Sequence, residues 1–303
     1  MKLYLGIDIG GTRIKTVVIN DKREIIDKNE CSTNDNINDP TLWKNKVKNI
    51  ITEKTKKFSN GDKNKLICGI SAPGLSNNGN KVIWHMPERL IGIEGYDWGK
   101  ELDREIWVIN DAHSATLAEY NTFFSNEFKN MILLTLGTGV GGGIIINGGL
   151  YKGHLNRGGH FGHFTLDSNG PMTMTNLPGS VEYAIGDYSI KERTHGFFDN
   201  TYDLVEAYKK NDPLATYWWL SSINKIAIGL ASLINILSPE IIVIGGGIAS
   251  AKDCFFKPLN EFMELYEWKP KNNHVKITST RFGNYAGAVG AALFAQENHK
   301  HKI

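Results

Sequence analysis

Cysteine is scarce in this chain: three residues, Cys31, Cys68 and Cys254, far apart and with no CxxC pair. That argues against a disulfide framework and a cysteine-based zinc site, and it fits a reducing compartment. Neither sign of charge dominates, since 34 Lys and Arg face 32 Asp and Glu, so a nucleic-acid binder finds no support. The longest apolar stretches read as well short of the roughly eighteen residues that span a bilayer. The opening, Met1 to Asp8, meets an acid and a glycine turn before any signal-peptide core forms. No GxxxxGK[ST] occurs, which removes the P-loop. The expectation is a cytoplasmic globular protein, with 303 residues suiting one large domain or two ordinary ones.

Glycine is in excess: 32 of 303 residues, about one in ten where about 7% is usual. Three clusters each follow an apolar strand: Gly10-Gly11, the run from Gly137 to Gly143, and Gly245-Gly246-Gly247. Glycine lets backbone approach a ligand closely, and successive N–H groups in such turns form concavities that suit polyphosphate. A hairpin explains one cluster equally well; three at strand ends favour a nucleotide. Gly137, Gly139 and Gly142 formally match GxGxxG, but that fingerprint must open a helix, and Ile144-Ile145-Ile146 is strand chemistry. The Rossmann reading fails there.

The remaining pattern is α/β. Strands are predicted at 3–8, 14–19, 66–71, 107–109, 131–136, 144–146 and 240–244. Helices are predicted at 39–58, 112–120, from Asp212-Pro213 to just before Pro239, and about 285–295. Eight lysines between Lys44 and Lys65 read as a solvated helix face rather than a phosphate patch. LYLGIDIGGTRIKTVVIN and ILLTLGTGVGGGIIINGG are both strand, glycine turn, strand, with Thr12 and Thr138 inside the turns. Two such openings point to two related halves. Asp111 ends one strand before a helix, where it reads either as a base facing a ligand or as a simple helix cap; Asn110 is the other candidate for the cap.

Asp8-Ile9-Gly10-Gly11-Thr12, Leu136-Gly137-Thr138-Gly139-Val140-Gly141-Gly142-Gly143 and Ile244-Gly245-Gly246-Gly247 resemble the two phosphate motifs and the adenosine motif of the ASKHA superfamily. Within it the chain is similar to the ROK family of sugar kinases, to which many bacterial glucokinases belong; matching segments run in order from Leu5 to about Ala292. The resemblance implies a two-domain actin-like, ribonuclease H-like ATPase fold with a central cleft. Residues 1–111 would form a small domain, with a C-terminal helix at about 284–303 packing back on it, and 112–283 a larger one. It implies phosphoryl transfer from ATP to a hexose hydroxyl, most simply the 6-OH. Another hexose or an N-acetylated amino sugar is the alternative substrate, and a non-catalytic sugar or nucleotide sensor is the alternative of another class. A homodimer is a family expectation. Repressors of the family carry an N-terminal helix-turn-helix; the first phosphate motif begins at residue 5, so none is expected here.

Carried over residue by residue, the resemblance makes Asp111 the base that takes the sugar proton, with Asn110 on a neighbouring hydroxyl. Asp8 would serve Mg²⁺, directly or through water. Gly10, Gly11, Thr12, Gly137, Thr138, Gly139, Gly141, Gly245, Gly246 and Gly247 would hold the nucleotide, and Pro73 and Gly74 would border the substrate. The family's Glu-x-Gly-His segment reads His160-Phe161-Gly162-His163 here, and Glu182 aligns with a later sugar-binding glutamate. An imidazole in place of a carboxylate changes which hydroxyl is recognised. The family's zinc segment, CxCGxxGC, is replaced by Pro171 to Ser180 without cysteine, so no zinc is expected there. Met172, Met174 and Leu177 are expected to fill the gap by apolar packing. His154, His160 and His163 are weighed as a metal set of their own and set aside for sugar and loop roles.

Overall fold

The computed structural model describes residues 2–35, 39–86 and 89–300. The chain divides into two compact units: Met1–Asn126 with Lys152–Gly158 and Phe282–Ile303, and Glu127–Tyr151 with Gly159–Arg281. Each unit, among the described residues, is built on one five-stranded sheet.

In the first unit β1 (Leu3–Ile9) is central. It pairs antiparallel with β2 (Arg13–Asn20), and β3 (Ile25–Ser32) extends that meander. Helix α1 (Pro40–Ser59) follows; Asp39 caps it through Thr41 N–H at 2.9 Å. Its Trp43, Val47 and Ile51 are fully buried with Leu5, Ile7 and Val18. Of its lysines, Lys56 and Lys57 are exposed while Lys44, Lys46, Lys48 and Lys54 are half-buried, and Lys54 and Lys57 both pair with Asp27 of β3. Next come β4 (Leu66–Ala72), parallel to β1, and the short pair β5 (Leu75–Ser76) and β6 (Ile83–His85). After helix α2 (Trp98–Glu101) runs β7 (Ile106–Asn110), parallel to β4 and leading directly into α3 (Asp111–Glu119).

The second unit repeats the plan. Strand β8 (Met131–Leu136) pairs antiparallel with β9 (Val140–Ile146), and β10 (Gly149–Tyr151) extends the meander. Short helices α4 (Val181–Ile185) and α5 (Ile190–Arg193) precede α6 (Thr201–Lys209) and the long α7 (Pro213–Leu237). Strand β11 (Ile241–Gly245), parallel to β8, then α8 (Asp253–Tyr266) and β12 (Lys276–Ser279) complete the unit. The sheet orders are β3-β2-β1-β4-β7 and β10-β9-β8-β11-β12, the same order written twice. The two related halves read from the strand–turn–strand openings are therefore real as topology.

The chain ends in α9 (Ala286–Lys300), which belongs to the first unit and lies on β1, β4 and α3. Residues 301–303 of the expected C-terminal helix lie outside the described residues. Contact is so close that a Cβ on Gly6 would sit 1.9 Å from Ala288 O, and one on Gly69 2.0 Å from Ala291 O. Part of the glycine excess is thus helix-on-sheet packing, unrelated to phosphate.

Several expectations need correction. The boundary after residue 111 moves, because α3 packs on α9 and stays in the first unit, as does Lys152–Gly158. Gly141, Gly142 and Gly143 are not turn: they pair inside β9 with Thr135, Leu134 and Leu133. At Gly142 a Cβ would meet Phe161 at 2.4 Å, so that glycine makes room for a ring. Helix α7 is, by length and composition, apolar enough to cross a membrane, contrary to the expectation that every apolar stretch falls well short of that. Its Trp219, Ile223, Ile226 and Leu230 are buried in the core of the second unit, so it reads as a core helix. Met172 and Met174 are 66% and 60% exposed and do not pack inward. Their loop is closed by backbone, with Thr173 N–H donating to Leu177 O at 3.0 Å and Gly179 N–H to Pro171 O at 2.9 Å.

Candidate active site

Asp8 lies near the end of β1, opposite Lys15 of β2 and Ser71 of β4. Ser71 Oγ donates to its Oδ1 at 2.7 Å. Helix α9 comes so near that a Cβ on Gly287 would fall 2.5 Å from the carboxyl carbon. Burial, with the Asp111 charge adding to it, pushes the Asp8 carboxyl up to about 6, against the pull of Ser71 and Lys15. The turn beyond it closes by Gly10 N–H to Arg13 O at 3.0 Å and Thr33 Oγ to Gly10 O at 2.6 Å. Gly11 and the exposed Thr12 form its tip.

At the end of β7 the two readings of Asn110-Asp111 separate. Asn110 is the helix cap: its Oδ1 accepts from His113 N–H at 3.0 Å. Its Nδ2 donates to Gly74 O and to Asp111 Oδ1, both at 2.9 Å. Asp111 Oδ1 also accepts from Ala112 N–H at 2.8 Å, which orients the carboxylate while its side chain stays open to solvent. The protein packed round it withdraws enough water to raise its pKa, opposed by Ala112 N–H, His113, Arg89 and Asn110. Gly74, beside Pro73, has φ +92, and a Cβ there would strike His85 O at 2.5 Å. Asp8, Ser71, Gly74, Asn110 and Asp111 thus gather in the first unit. Asn110 spends both amide hydrogens on this framework, so only its Oδ1 has capacity left for a sugar hydroxyl.

In the second unit the β8–β9 turn holds Gly137, Thr138 and Gly139. Gly137 N–H donates to Gly139 O at 2.9 Å, while Asp187 N–H and Tyr188 N–H donate to the carbonyls of Gly137 and Thr138 at 3.0 and 3.1 Å. Glu182 of α4 accepts from Val140 N–H at 2.8 Å through Oε2. That oxygen would lie 2.4 Å from a Cβ on Gly139 and 3.1 Å from one on Gly162, so glycine at both places makes room for Glu182. Next to it His160 and His163 stack, ring centres 6.0 Å apart and 10° from parallel. His154 is exposed and belongs to the first unit's Lys152–Gly158 segment. Among the described residues no three of His, Cys, Asp and Glu group as a metal site.

The third cluster follows β11. Gly246 has φ +93, and its Cβ would lie 2.2 Å from Leu136 O, so only glycine lets β11 turn beside β8. A cavity of about 430 Å³ opens here, bordered by Gly137, Thr138 and Gly247, with Val205, Ile248 and Ala251 among its apolar lining. Sequence reading missed its far wall, α6. Asn200 caps α6 through Asp203 N–H at 2.8 Å, and the periodic Leu204, Val205 and Tyr208 were the available signal. Thr201 N–H donates to Asp187 Oδ1 at 2.6 Å. Thr201 borders the cavity, and its buried hydroxyl finds no hydrogen-bond partner among the described residues.

Comparison with known proteins bears directly on this arrangement. A glucokinase of Halalkalibacterium halodurans is 30% identical, covering 99% of this chain and 97% of its own length. An N-acetylmannosamine kinase of Haemophilus influenzae is 28% identical, with 97% and 95% covered. The solved structure of a ROK hexokinase from Thermus thermophilus superposes with a TM-score of 0.83 at 26% identity, covering 99% of each chain. The doubled sheet order and this likeness give the chain the actin-like ATPase fold. The ROK family model matches residues 4–298, nearly the whole chain, and the protein belongs to the ROK family.

Proposed function

We propose that this sugar kinase transfers the γ-phosphate of ATP to a hexose hydroxyl, the 6-OH in the simplest case, with Asp111 as general base. One observation carries the assignment: the cap of α3 is Asn110, so Asp111 is released from that duty, oriented by one oxygen and open at the other side. Its raised pKa strengthens it as a base near neutral pH. In-line attack then needs the sugar oxygen beside Asp111 and the γ-phosphate opposite.

Asp8 would hold Mg²⁺, directly or through water; its buried carboxyl, crowded by a second negative charge, suits a hard divalent cation. Bound there, the cation would neutralise charge on the donor phosphates. The turns at 10–12 and 137–139 supply backbone N–H groups for phosphate. The apolar cavity beside Gly247, with the unpaired Thr201 hydroxyl, supports a nucleoside donor, since inorganic polyphosphate has no group to fill it. His160, His163 and Glu182 would contact the sugar. His160 favours a second reading, an N-acetylated amino sugar, because imidazole can donate to an amide carbonyl where carboxylate cannot.

The test is ADP release across a panel of hexoses and N-acetylated amino sugars, followed by Asp111→Asn and His160→Glu on the best substrate. Asp111→Asn is expected to lower kcat by about 10²–10⁴-fold; undiminished turnover sinks the base assignment. A panel in which sugars bind but none releases ADP makes the protein a sensor. Specificity unchanged by His160→Glu means that His160 does not read the sugar.

A further inference from the structure

The segment Lys152–Gly158 belongs to the first unit although its flanking residues belong to the second. Its backbone is unusual: Leu155 and Asn156 both have left-handed φ, +58 and +56. For leucine that conformation is unfavourable, and it persists only where surrounding contacts over-determine it. They do so here. Asn156 is 5% exposed, and its Nδ2 reaches Ser76 O at 2.8 Å, Asn77 O at 3.0 Å and Ser76 Oγ at 3.1 Å. Gly158 N–H closes the segment on Lys152 O at 2.7 Å.

The other end of the segment is fastened by His113, 1% exposed, two residues beyond Asp111 in the first turn of α3. Its Nε2 lies 2.6 Å from Gly158 O. A carbonyl only accepts, so Nε2 carries the proton and donates. The same residue's backbone N–H donates to Asn110 Oδ1, and Asn110 Nδ2 donates to Gly74 O and to Asp111 Oδ1. Gly74 is two residues from Ser76. The hydrogen bonds therefore run in a closed circuit: Asn110 to Gly74, along the chain to Ser76, across to Asn156, along to Gly158, and through His113 back to Asn110. A buried imidazole costs desolvation that an apolar side chain of similar bulk avoids, so its hydrogen bond has to offset that cost.

We propose that His113 and Asn156 are positioning residues, lacing the Lys152–Gly158 segment to the loop at Gly74 so that Asn110 holds the Asp111 carboxylate at one fixed aim. The inference rests on Asp111 being the base. Opening the circuit at His113 leaves the Asn110 hydrogen bonds to hold the first turn of α3 to the Gly74 loop without the brace of the Lys152–Gly158 segment. Held by these alone, the base loses its aim while the nucleotide pocket in the second unit is untouched. A misplacement of about 1 Å at a reacting group costs on the order of a hundredfold in rate.

The experiment compares wild type, His113→Gln and His113→Leu on the best sugar, each checked for a native melting transition. Glutamine places its amide nitrogen near the position of Nε2; leucine removes the donor. Expected is a tenfold to hundredfold fall in kcat for His113→Leu with KM for ATP within about twofold, and a kcat within about threefold of wild type for His113→Gln. A folded His113→Leu with wild-type kcat overturns the proposal, and so does a His113→Gln as impaired as His113→Leu. If His113→Leu does not fold, His113→Asn, whose amide stops short of Gly158 O, carries the same expectation. Wild type inactive on every sugar defeats the kinase reading instead. In that event amide hydrogen exchange decides the circuit alone: Asn156→Asp, which turns a donor into an acceptor facing two carbonyls, is expected to speed exchange at 110–114 and 152–158 at least tenfold. Unchanged protection in both segments overturns it.

Discussion

Burial and the neighbouring Asp111 charge set Asp8 apart from an ordinary carboxylate. Its folded carboxyl titrates near 6 against an ordinary value of 3.8, so between those pH values the native state binds the extra proton. Stability from this group is therefore lost as pH rises through about 6 and regained as pH falls. Asp8→Asn removes the charge while keeping an oxygen for the Ser71 hydroxyl. The expected result, without Mg²⁺ or nucleotide, is a Tm a few degrees above wild type at pH 7.5, an advantage that shrinks at pH 5; with both added and sugar present, turnover is lost. Differential scanning calorimetry at both pH values checks it, and an equal gain at both would show that charge is not the cause. At this scale the sequence was informative about identity and silent about availability. Asp111 and Asn110 stood out as neighbours that could each cap a helix, and nothing in their order said which does. The choice was made by Gly74 O, which draws the Asn110 amide across from β7 and leaves Asp111 outside.

At the scale of elements, most of the longer strands and helices were legible because their patterns are local. Strand β1, the turn at Gly10-Gly11 and strand β2 follow from apolar runs interrupted by glycine, and α7 from the Asp212-Pro213 start. What escaped included the eight-residue β3, the fourteen-residue α8, the short helices α4 and α6, and the reason for individual glycines. Gly290 shows why. In sequence it is one small residue in an alanine-rich helix, yet a Cβ there would fall 1.7 Å from Ser114 O of α3. Gly290→Ala is expected to force α3 and α9 apart and to destabilise the protein by about 1–3 kcal/mol, measurable by chemical denaturation. Because α3 carries Asp111 in its first turn, kcat should fall in the fraction that remains folded. Retained stability would mean that α9 shifts without cost.

For the whole molecule, the same sheet order used twice places each of two glycine turns beside the central strand of its own sheet, at Gly10–Thr12 and Gly137–Gly139. The apolar cavity beside Gly247 is confined to the second unit, and the carboxylates Asp8 and Asp111 to the first. Under the proposed function, nucleotide and base chemistry are held by different frameworks. A non-hydrolysable ATP analogue added without sugar is expected to slow amide exchange several-fold in α6 and at 247–251, while 110–114 in the first turn of α3 changes little. Protection spread evenly over both units would contradict a cavity that belongs to one.

The order of residues was enough, by itself, to determine the family, the α/β class, the glycine turns and the acids that stand beside them. Those features depend on residue type and spacing along one strand or turn, and local sterics enforce them. Only the tertiary structure decided which polar atoms are consumed and which remain for a ligand. Glu182 is tied to Val140 N–H, the Asn110 amide to Gly74 O, and His113 to Gly158 O, by partners 42, 36 and 45 residues distant. Hydrogen bonds are saturable, so their allocation is a competition among groups that meet only when the chain has folded. The glycine excess divides the same way: its place in the turns was visible from neighbours in sequence, and its place under α9 only from neighbours in space.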